Sequence, residues 1–406
     1  MNAFMRSDLI LKREASTSAL VTSKGELSLP VPLRFERTAL QFVSGETQHT
    51  CVEEACYSQL LEFYFCGTGR LSRFLDYSTL FAESAFPVRP EEVSVVLTKL
   101  CNMTCVHCYN DSGRKDSGEL SDEQKIGLIE YLCRWGIRRL TITGGEPTLD
   151  PVLPACLDLA TAFGVGVKLS TNGWHLSEAV LSSIRKKTVQ QINISLDGAD
   201  AKSHDSFRNK RGSFERVMKT LAVLREYQPR ILVINASVHR GDIAQMDAVA
   251  GIAASVGATA VSFKPITSTG RSGVDTSFFL DETLLERFRT ERNRLREKYR
   301  GQLEIDGKLI DASVGELIED VACNAGRLAM MVDADGRMLP CESVSFLSDV
   351  PNCRDLSPMQ AWLNSPLFHW FRDLSAASHG GCGTKGCPGS QIHNRVAGSA
   401  RLVQLS

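Results

Sequence analysis

The sequence predicts an α/β protein: a partial (β/α)6 parallel-sheet barrel with a small N-terminal α+β module and a cysteine-rich C-terminal extension. Short apolar β-type runs alternate with helical stretches from residue 92 to about residue 270. Such alternation indicates a parallel sheet covered by helices. Cysteines are concentrated just after the first of these runs and again after residue 320. We therefore expect three regions, 1–90, 91–275 and 276–406, the last opening with a linker helix.

Composition argues against several classes of protein. The 406 residues give room for two or three domains, and the net charge of −1 gives no sign of a nucleic-acid or membrane partner. No apolar run approaches the ~18 residues of a membrane span, and the N-terminus lacks the features of a secretory signal. With 13 cysteines and no export signal, we expect a cytoplasmic protein whose thiols bind metal rather than form disulfides.

The N-terminal region combines strands and helices. Strands are predicted at Leu27–Leu33 and Phe35–Val43, and helices follow at Cys51–Phe65 and Leu71–Phe81. This order within 90 residues indicates a small winged-helix-like module. A plain N-terminal cap on the barrel explains the same pattern equally well.

The barrel is predicted from six apolar runs and the helices between them. Ser121 and Gln124 form a capping-box pattern at the first helix, and Asp150 with Pro151 gives an N-cap and a first-turn proline for the second. In such sheets the reactive groups lie at the carboxyl ends of the strands. The predicted strands are Val93–Thr98, Arg139–Thr143, Val165–Ser170, Gln190–Leu196, Ile231–Val238 and Thr259–Phe263, and the predicted helices are 121–135, 151–163, 177–187, 213–227 and 242–256.

Three cysteines follow the first strand with the spacing C-x3-C-x2-C: Cys101, Cys105 and Cys108. Three thiolates on one short loop can hold three corners of a [4Fe–4S] cluster. A structural cluster needs a fourth protein ligand, and the next cysteine, Cys133, falls in a predicted helix. The triplet therefore predicts a cluster with one open iron, which indicates chemistry rather than a structural role.

Polar groups also follow the next strands of the predicted sheet. The second strand ends in the loop Gly144-Gly145-Glu146-Pro147, and small hydroxyl, amide and carboxylate side chains end the third and fourth. Each of these motifs alone is ordinary turn and cap chemistry. Taken together with the triplet, residues 92 to about 270 resemble the core of a radical S-adenosylmethionine (SAM) enzyme.

The resemblance implies a SAM site. In the family the G-G-E-P loop engages the amino group of SAM, and an arginine at the position of Arg208 pairs with its carboxylate. The family often has an aromatic residue at the position of His107, so we expect His107 to shield the cluster. Gly270-Arg271 resembles the barrel-closing loop, although a solvated basic loop is the alternative. The predicted SAM-binding residues are Gly144, Gly145, Glu146, Pro147, Ser170, Asn172, Ser195, Asp197 and Arg208.

The C-terminal region has a second group of cysteines. Cys323 is followed by a predicted hairpin, Met330–Pro340, and by Cys341, which completes the spacing G-x4-C. This resembles the auxiliary-cluster extension called SPASM, or its shortened twitch form. We expect one auxiliary [4Fe–4S] cluster, with a second cluster or a zinc site as alternatives. Its predicted ligands are Cys323, Cys341, Cys387 and either Cys382 or Cys353.

The predicted function is that of a peptide-modifying radical SAM enzyme. The resemblance implies reductive cleavage of SAM to a 5′-deoxyadenosyl radical, which abstracts hydrogen from a ribosomally synthesised peptide to give a cross-link or other modification. The N-terminal module would then hold the leader of the precursor peptide, and a flavodoxin or ferredoxin would supply electrons. A dehydrogenase or epimerase of a small molecule and a non-catalytic iron–sulfur protein are the alternatives. Candidates for handling the substrate radical are Tyr109, Cys353 and Cys382.

Overall fold

The computed structural model describes residues 9–13, 18–22, 28–31, 36–45, 52–66, 71, 89–266, 270–273, 276–306 and 323–377. The chain forms two compact units. The first unit comprises residues 1–93, 127–138 and 320–406, and the second comprises residues 94–126 and 139–319.

The first unit begins with an antiparallel sheet. Its strands β1 (Leu9–Arg13), β2 (Ser18–Thr22) and β3 (Ser28–Val31) pair in chain order. Two helices follow, α1 (Glu36–Ser44) and α2 (Val52–Leu61), and α2 continues into a π-helical turn over 62–66.

The predicted strand at Phe35–Val43 is wrong, because that stretch is helix α1. Thr38, Ala39 and Phe42 are buried there at helical spacing. The predicted helix at Leu71–Phe81 lies outside the described residues except for Leu71.

The second unit is built on an open parallel sheet. Its strands pair in the order β10-β9-β8-β7-β6-β5-β4, and the pairs from β5 to β10 are parallel. The partial parallel barrel is therefore confirmed, with a short further strand, β10, that carries too few residues to be visible in the sequence. The strands are β4 (Glu92–Val96), β5 (Arg139–Thr143), β6 (Gly166–Thr171), β7 (Val189–Ser195), β8 (Ile231–Val238), β9 (Ala260–Pro265) and β10 (Glu304–Ile305).

Helices connect these strands, mostly as predicted, and most of the first helix (residues 127–135) is assigned to the first unit. The capping box of the first helix is present, because Ser121 and Gln124 each accept a hydrogen bond from the other's backbone. The second helix begins two residues later than expected, and Asp150 instead accepts from the Val152 N–H ahead of it. The helices are α3 (Asp122–Trp135), α4 (Leu153–Phe163), α5 (Glu178–Arg185), α6 (Ala201–Arg208), α7 (Ser213–Tyr227), α8 (Met246–Ser255) and α9 (Glu282–Lys298).

The C-terminal part of the first unit contains the predicted hairpin. Strands β11 (Ala329–Val332) and β12 (Met338–Leu339) pair antiparallel, and helices α10 (Pro358–Asn364) and α11 (Pro366–Ala377) follow. Arg337 fixes the turn, because it bonds the carboxylate of Asp333 and the backbone carbonyls of two later residues. Among the described helices of the chain, none is both long enough and apolar enough to cross a membrane.

Candidate active site

Each sulfur of the cysteine triplet faces a hydrogen-bond donor. Asn172 Nδ2, at the end of β6, is 3.9 Å from Cys101 Sγ, and Arg208 Nη1, at the end of α6, is 3.8 Å from Cys105 Sγ. The Ser112 backbone nitrogen is 3.4 Å from Cys108 Sγ. Donors pointed at sulfur stabilise its thiolate form, which is the form that binds metal.

The chemistry of these three thiols fits a cluster. All three are free cysteines, and burial raises the pKa of Cys101 to about 11 and also raises that of Cys105. A buried thiolate needs positive charge beside it, which iron supplies. In the described part of the chain, no three His, Cys, Asp or Glu side chains gather closely enough to hold a single metal ion. A [4Fe–4S] cluster does not need three side chains around one metal ion, because each thiolate binds a separate iron.

The glycines of the G-G-E-P loop face the cysteine loop. The Gly145 N–H donates to Thr98 O at 2.7 Å, and the Glu146 N–H donates to Leu100 O at 2.8 Å. A β-carbon on either glycine would lie 2.6 Å from a backbone oxygen, that of Thr98 or of Lys99. These two glycines therefore allow the chain's own cysteine loop to lie directly against their backbone.

Glu146 lies fully buried between two strand ends. Its carboxylate accepts from Thr148 N and Oγ1, from Thr171 Oγ1 and from the Asn172 N–H, at 2.7 to 3.1 Å. Burial raises the pKa of Glu146, and these hydrogen bonds act against that effect. The side chain thus ties the loop after β5 to the end of β6.

Asp197 and Arg208, both predicted to bind SAM, bind each other. Arg208 Nε lies 2.6 Å from Asp197 Oδ2, and the Ser237 N–H donates to the other carboxylate oxygen at 2.9 Å. Burial alone would raise the pKa of Asp197, but the charge of Arg208, the two neighbouring histidines and the Ser237 hydrogen bond together outweigh burial, and the pKa is lowered. His107 Nε2 is 3.4 Å from the same carboxylate, and its ring stacks on Phe207.

His107 is neutral at neutral pH, because burial lowers its pKa to about 4. The other predicted positions lie at the same edge of the sheet. Asn172 donates to Asn102 at 2.7 Å, and Ser170 accepts from Asn193 at 3.1 Å. Ser195 and Tyr109 are half-buried and Pro147 is buried.

A buried charged network behind the cysteine loop was not expected from the sequence. Glu119 accepts from Thr98 Oγ1 at 3.0 Å and from the Lys99 N–H at 2.7 Å, which fixes the start of the loop. Lys125, only 2% exposed, lies 2.6 Å from Asp150 and 3.6 Å from Glu119. In the sequence Lys125 is an ordinary lysine of an amphipathic helix, so its burial could not be predicted.

The described auxiliary-site cysteines fall into two places. Cys323 and Cys341 pack against one apolar cluster that includes Leu339 and Phe371. The Cys353 N–H instead donates to Gly336 O at 2.8 Å, at the turn of the hairpin. Burial raises the pKa of the Cys353 thiol to about 11. Cys382 and Cys387 lie outside the described residues.

Comparison with known proteins identifies the family. The sequence profile of the Radical SAM superfamily matches residues 95–247. The chain is 33% identical over 296 residues to mycofactocin maturase MftC of Mycobacterium tuberculosis H37Rv, a match that covers 71% of this chain and 74% of the relative. The chain belongs to the radical SAM superfamily.

A second relative and a solved structure are also similar to this chain. The sporulation killing factor maturation protein SkfB of Bacillus subtilis is 29% identical over 283 residues, covering 68% of this chain and 65% of the relative. Among solved structures, Streptococcus suis SuiB bound to S-adenosylmethionine superposes with a TM-score of 0.60 at 14% identity, covering 90% of this chain and 89% of that chain. The shared fold is that of a radical SAM partial barrel.

Family membership makes this chain an enzyme and defines its cofactors. Radical SAM enzymes use a [4Fe–4S] cluster and SAM, and at least one auxiliary [4Fe–4S] cluster accompanies them in this chain, whose C-terminal region contains further cysteines.

Proposed function

We propose that this enzyme modifies a ribosomally synthesised precursor peptide, forming a cross-link or another side-chain or backbone modification. The observation that carries the proposal is the cysteine triplet, each of whose sulfurs faces a donor at the carboxyl edge of the sheet. The peptide class is supported by relatives named for the maturation of mycofactocin and of a sporulation killing factor. SuiB, which shares the fold, has been solved with its precursor peptide SuiA.

Cys101, Cys105 and Cys108 would hold the cluster that binds SAM. When bound, the cluster and SAM supply the radical that takes a hydrogen atom from the substrate. Arg208 and Asn172 would stabilise the ligand sulfurs through their N–H groups.

For SAM itself we propose the sheet-edge set predicted above, with a division of roles. Glu146 and Asp197 are already hydrogen-bonded within the chain. They would position the loops, while the half-buried hydroxyls of Ser170 and Ser195 and the backbone of Gly144-Gly145 would contact SAM.

The remaining regions complete the proposed enzyme. Cys323, Cys341, Cys382 and Cys387 would hold a single auxiliary [4Fe–4S] cluster, and Cys353 would lie outside it. Residues 1–90 would bind the leader of the precursor peptide, 91–275 would form the SAM-binding barrel and 276–406 the auxiliary domain. We place the reaction in the cytoplasm, with a flavodoxin or ferredoxin as reductant and no nucleic-acid or membrane partner.

The first experiment tests SAM cleavage. Anaerobically reconstituted protein is incubated with SAM and dithionite, and 5′-deoxyadenosine is measured by chromatography. The triple variant Cys101→Ala/Cys105→Ala/Cys108→Ala should form none, whereas Cys133→Ala, a matched change at a buried helix thiol, should still form it. Absence of deoxyadenosine from the wild-type protein under every reductant contradicts the proposal.

The second experiment tests the peptide. A candidate precursor is expressed with the enzyme and its mass is compared with that of precursor expressed alone, a loss of two hydrogen masses indicating a cross-link or desaturation. A small-molecule substrate is the second candidate, because AdoMet-dependent heme synthase of Methanosarcina barkeri is 28% identical over 300 residues. In that case peptide would neither change nor stimulate deoxyadenosine formation.

A further inference from the structure

Arg271 binds the cysteine loop from the far end of the barrel sequence. Its Nε donates to Cys105 O at 2.9 Å, its Nη2 to Ser112 O at 2.7 Å, and its Nη1 lies 2.8 Å from Asp111 Oδ1. Its backbone N–H donates to Cys108 O at 3.0 Å. One residue thus contacts the backbone of two of the three predicted cluster ligands.

Gly270 shows how closely this segment lies on the loop. It has φ +58°, and a β-carbon there would collide with the backbone carbonyls of Cys108 and Tyr109. Glycine is required both by the positive φ and by the close approach. The backbone over 270–271 therefore packs directly against the loop, and the arginine bonds follow from that packing.

We propose that Arg271 is the positioning residue for the cluster-binding loop, holding Cys105 and Cys108 at the spacing that the cluster requires. This inference rests on the proposed role of the triplet as cluster ligands. A guanidinium presents five N–H donors in a rigid plane, so three of its nitrogens satisfy three acceptors that point from different directions. Lysine carries a single ammonium nitrogen on a flexible stem and cannot reach all three at once.

The test compares Arg271→Met and Arg271→Lys with a matched control in the same unit. Arg240→Met removes an exposed guanidinium that pairs with Asp281 at 3.2 Å. Three quantities are measured on the reconstituted full chain: the rate of iron loss to a chelator, the shift of the reduced-cluster EPR signal on adding SAM, and the melting temperature. The SAM-induced shift reports only on the cluster with the open iron, so an auxiliary cluster does not mask the result.

We expect both Arg271 variants to lose the SAM-responsive signal and to release iron from that cluster faster than Arg240→Met does. The expected change is about 10- to 100-fold, the range for partners that orient metal ligands. Arg271→Lys should restore neither the SAM-responsive signal nor the wild-type rate of iron loss. A wild-type rate of iron loss and an unchanged SAM-induced shift in Arg271→Met would overturn the inference. An equal loss of iron from every cluster, together with a large fall in melting temperature, would also overturn it.

Asp111→Asn provides a second variant that keeps the fold. Asp111 is exposed and has φ +46°, a conformation that asparagine accepts. In this variant the bonds from Arg271 to Cys105 O and Ser112 O remain, so the SAM-responsive signal should be retained. Loss of the signal in Asp111→Asn would show that the ion pair with Asp111 positions the loop, and would overturn the role of the carbonyl bonds. Failure of the peptide proposal is seen separately, as an unchanged peptide mass with the wild-type enzyme.

Discussion

The Nε atom of Arg208 lies 2.6 Å from the Oδ2 atom of Asp197, and both side chains are buried. The same guanidinium places Nη1 3.8 Å from Cys105 Sγ. One arginine therefore neutralises a buried carboxylate and donates to the central thiol of the triplet. The stability of this edge of the sheet and the properties of the cysteine loop are linked through Arg208.

Arg208→Met should destabilise the protein and weaken the cluster. It leaves Asp197 buried without its positive partner, and breaking a buried ion pair in this way costs about 3–5 kcal/mol. It also removes the donor to Cys105. Chemical denaturation monitored by circular dichroism measures the first effect, and iron content after reconstitution measures the second.

The control for Arg208 is Arg185→Met, which removes an exposed arginine 3.3 Å from Glu178. Exposed pairs contribute about 0–1 kcal/mol, so little change is expected. In the double variant Arg208→Met/Asp197→Leu the unpaired charge is gone, and stability should partly return while iron content stays low. A free energy of unfolding for Arg208→Met equal to that of Arg185→Met would contradict the buried-pair account.

Glu146→Gln should lower stability even without SAM. One carboxylate oxygen would become an NH2 group facing either the Asn172 N–H or the donors of Thr148 and Thr171, so that donor faces donor in a fully buried place. An unsatisfied buried polar group costs about 1–3 kcal/mol. Thermal denaturation of the SAM-free protein measures it.

The comparison for Glu146 is Glu215→Gln on α7, where an exposed glutamate pairs with Lys219 at 2.7 Å. That variant should melt like the wild type. If Glu146→Gln also melts like the wild type and loses only SAM affinity, the carboxylate acts directly on SAM, and the positioning role proposed here is wrong.

Asp306 should make the second unit less stable as pH rises. Burial raises its pKa to about 6, although it accepts a 2.5 Å hydrogen bond from the Phe263 N–H. Because the folded pKa lies above the unfolded value, the stability that the protonated group contributes is complete below about pH 4 and is lost as pH rises through about 6.

Asp306→Asn should therefore be more stable than the wild type at pH 7, by on the order of 2 kcal/mol, and equal to it near pH 4. Asparagine accepts the same Phe263 bond and tolerates the φ of +53° at this position. Urea denaturation at several pH values measures the difference. A difference that does not depend on pH would show that ionisation of Asp306 is not its cause.

The parts of this structure visible in the sequence are those with a local signal. Strands β5 and β8 and helix α7 have the predicted bounds, since buried parallel strands read as apolar runs and amphipathic helices as a 3.6-residue period. The strand prediction at Phe35–Val43 is wrong because five of its nine residues are apolar, and the exposed Leu40 obscures the helical spacing of the buried Ala39 and Phe42.

Side-chain partners could not be predicted in the same way. The sequence placed Asp197 and Arg208 at one edge, but their pairing with each other depends on the three-dimensional arrangement of β7 and α6. Arg271 contacts a loop 160 residues earlier in the chain, a distance over which spacing carries no information.

Cys353, which the sequence predicts as an alternative auxiliary ligand, lies beside the turn of the hairpin. Arg337 and Asn352 pair antiparallel, and the Met338 N–H donates to Pro351 O at 2.7 Å. Cys353 follows Asn352 on the side of this pair that is nearer to the turn. Cys341 follows Arg337 on the side that is farther from the turn. The two cysteines therefore lie toward opposite ends of the hairpin.

Cys353→Ala should keep the iron and sulfide content of the wild type, whereas Cys341→Ala should lose those of one cluster. Each variant is reconstituted in parallel and its iron, sulfide and EPR signals are measured, with Cys156→Ala, a buried thiol of α4, as the matched control. If Cys353→Ala loses as much iron as Cys341→Ala, Cys353 is a ligand. That result would contradict the ligand set proposed for the single auxiliary cluster, which leaves Cys353 outside it.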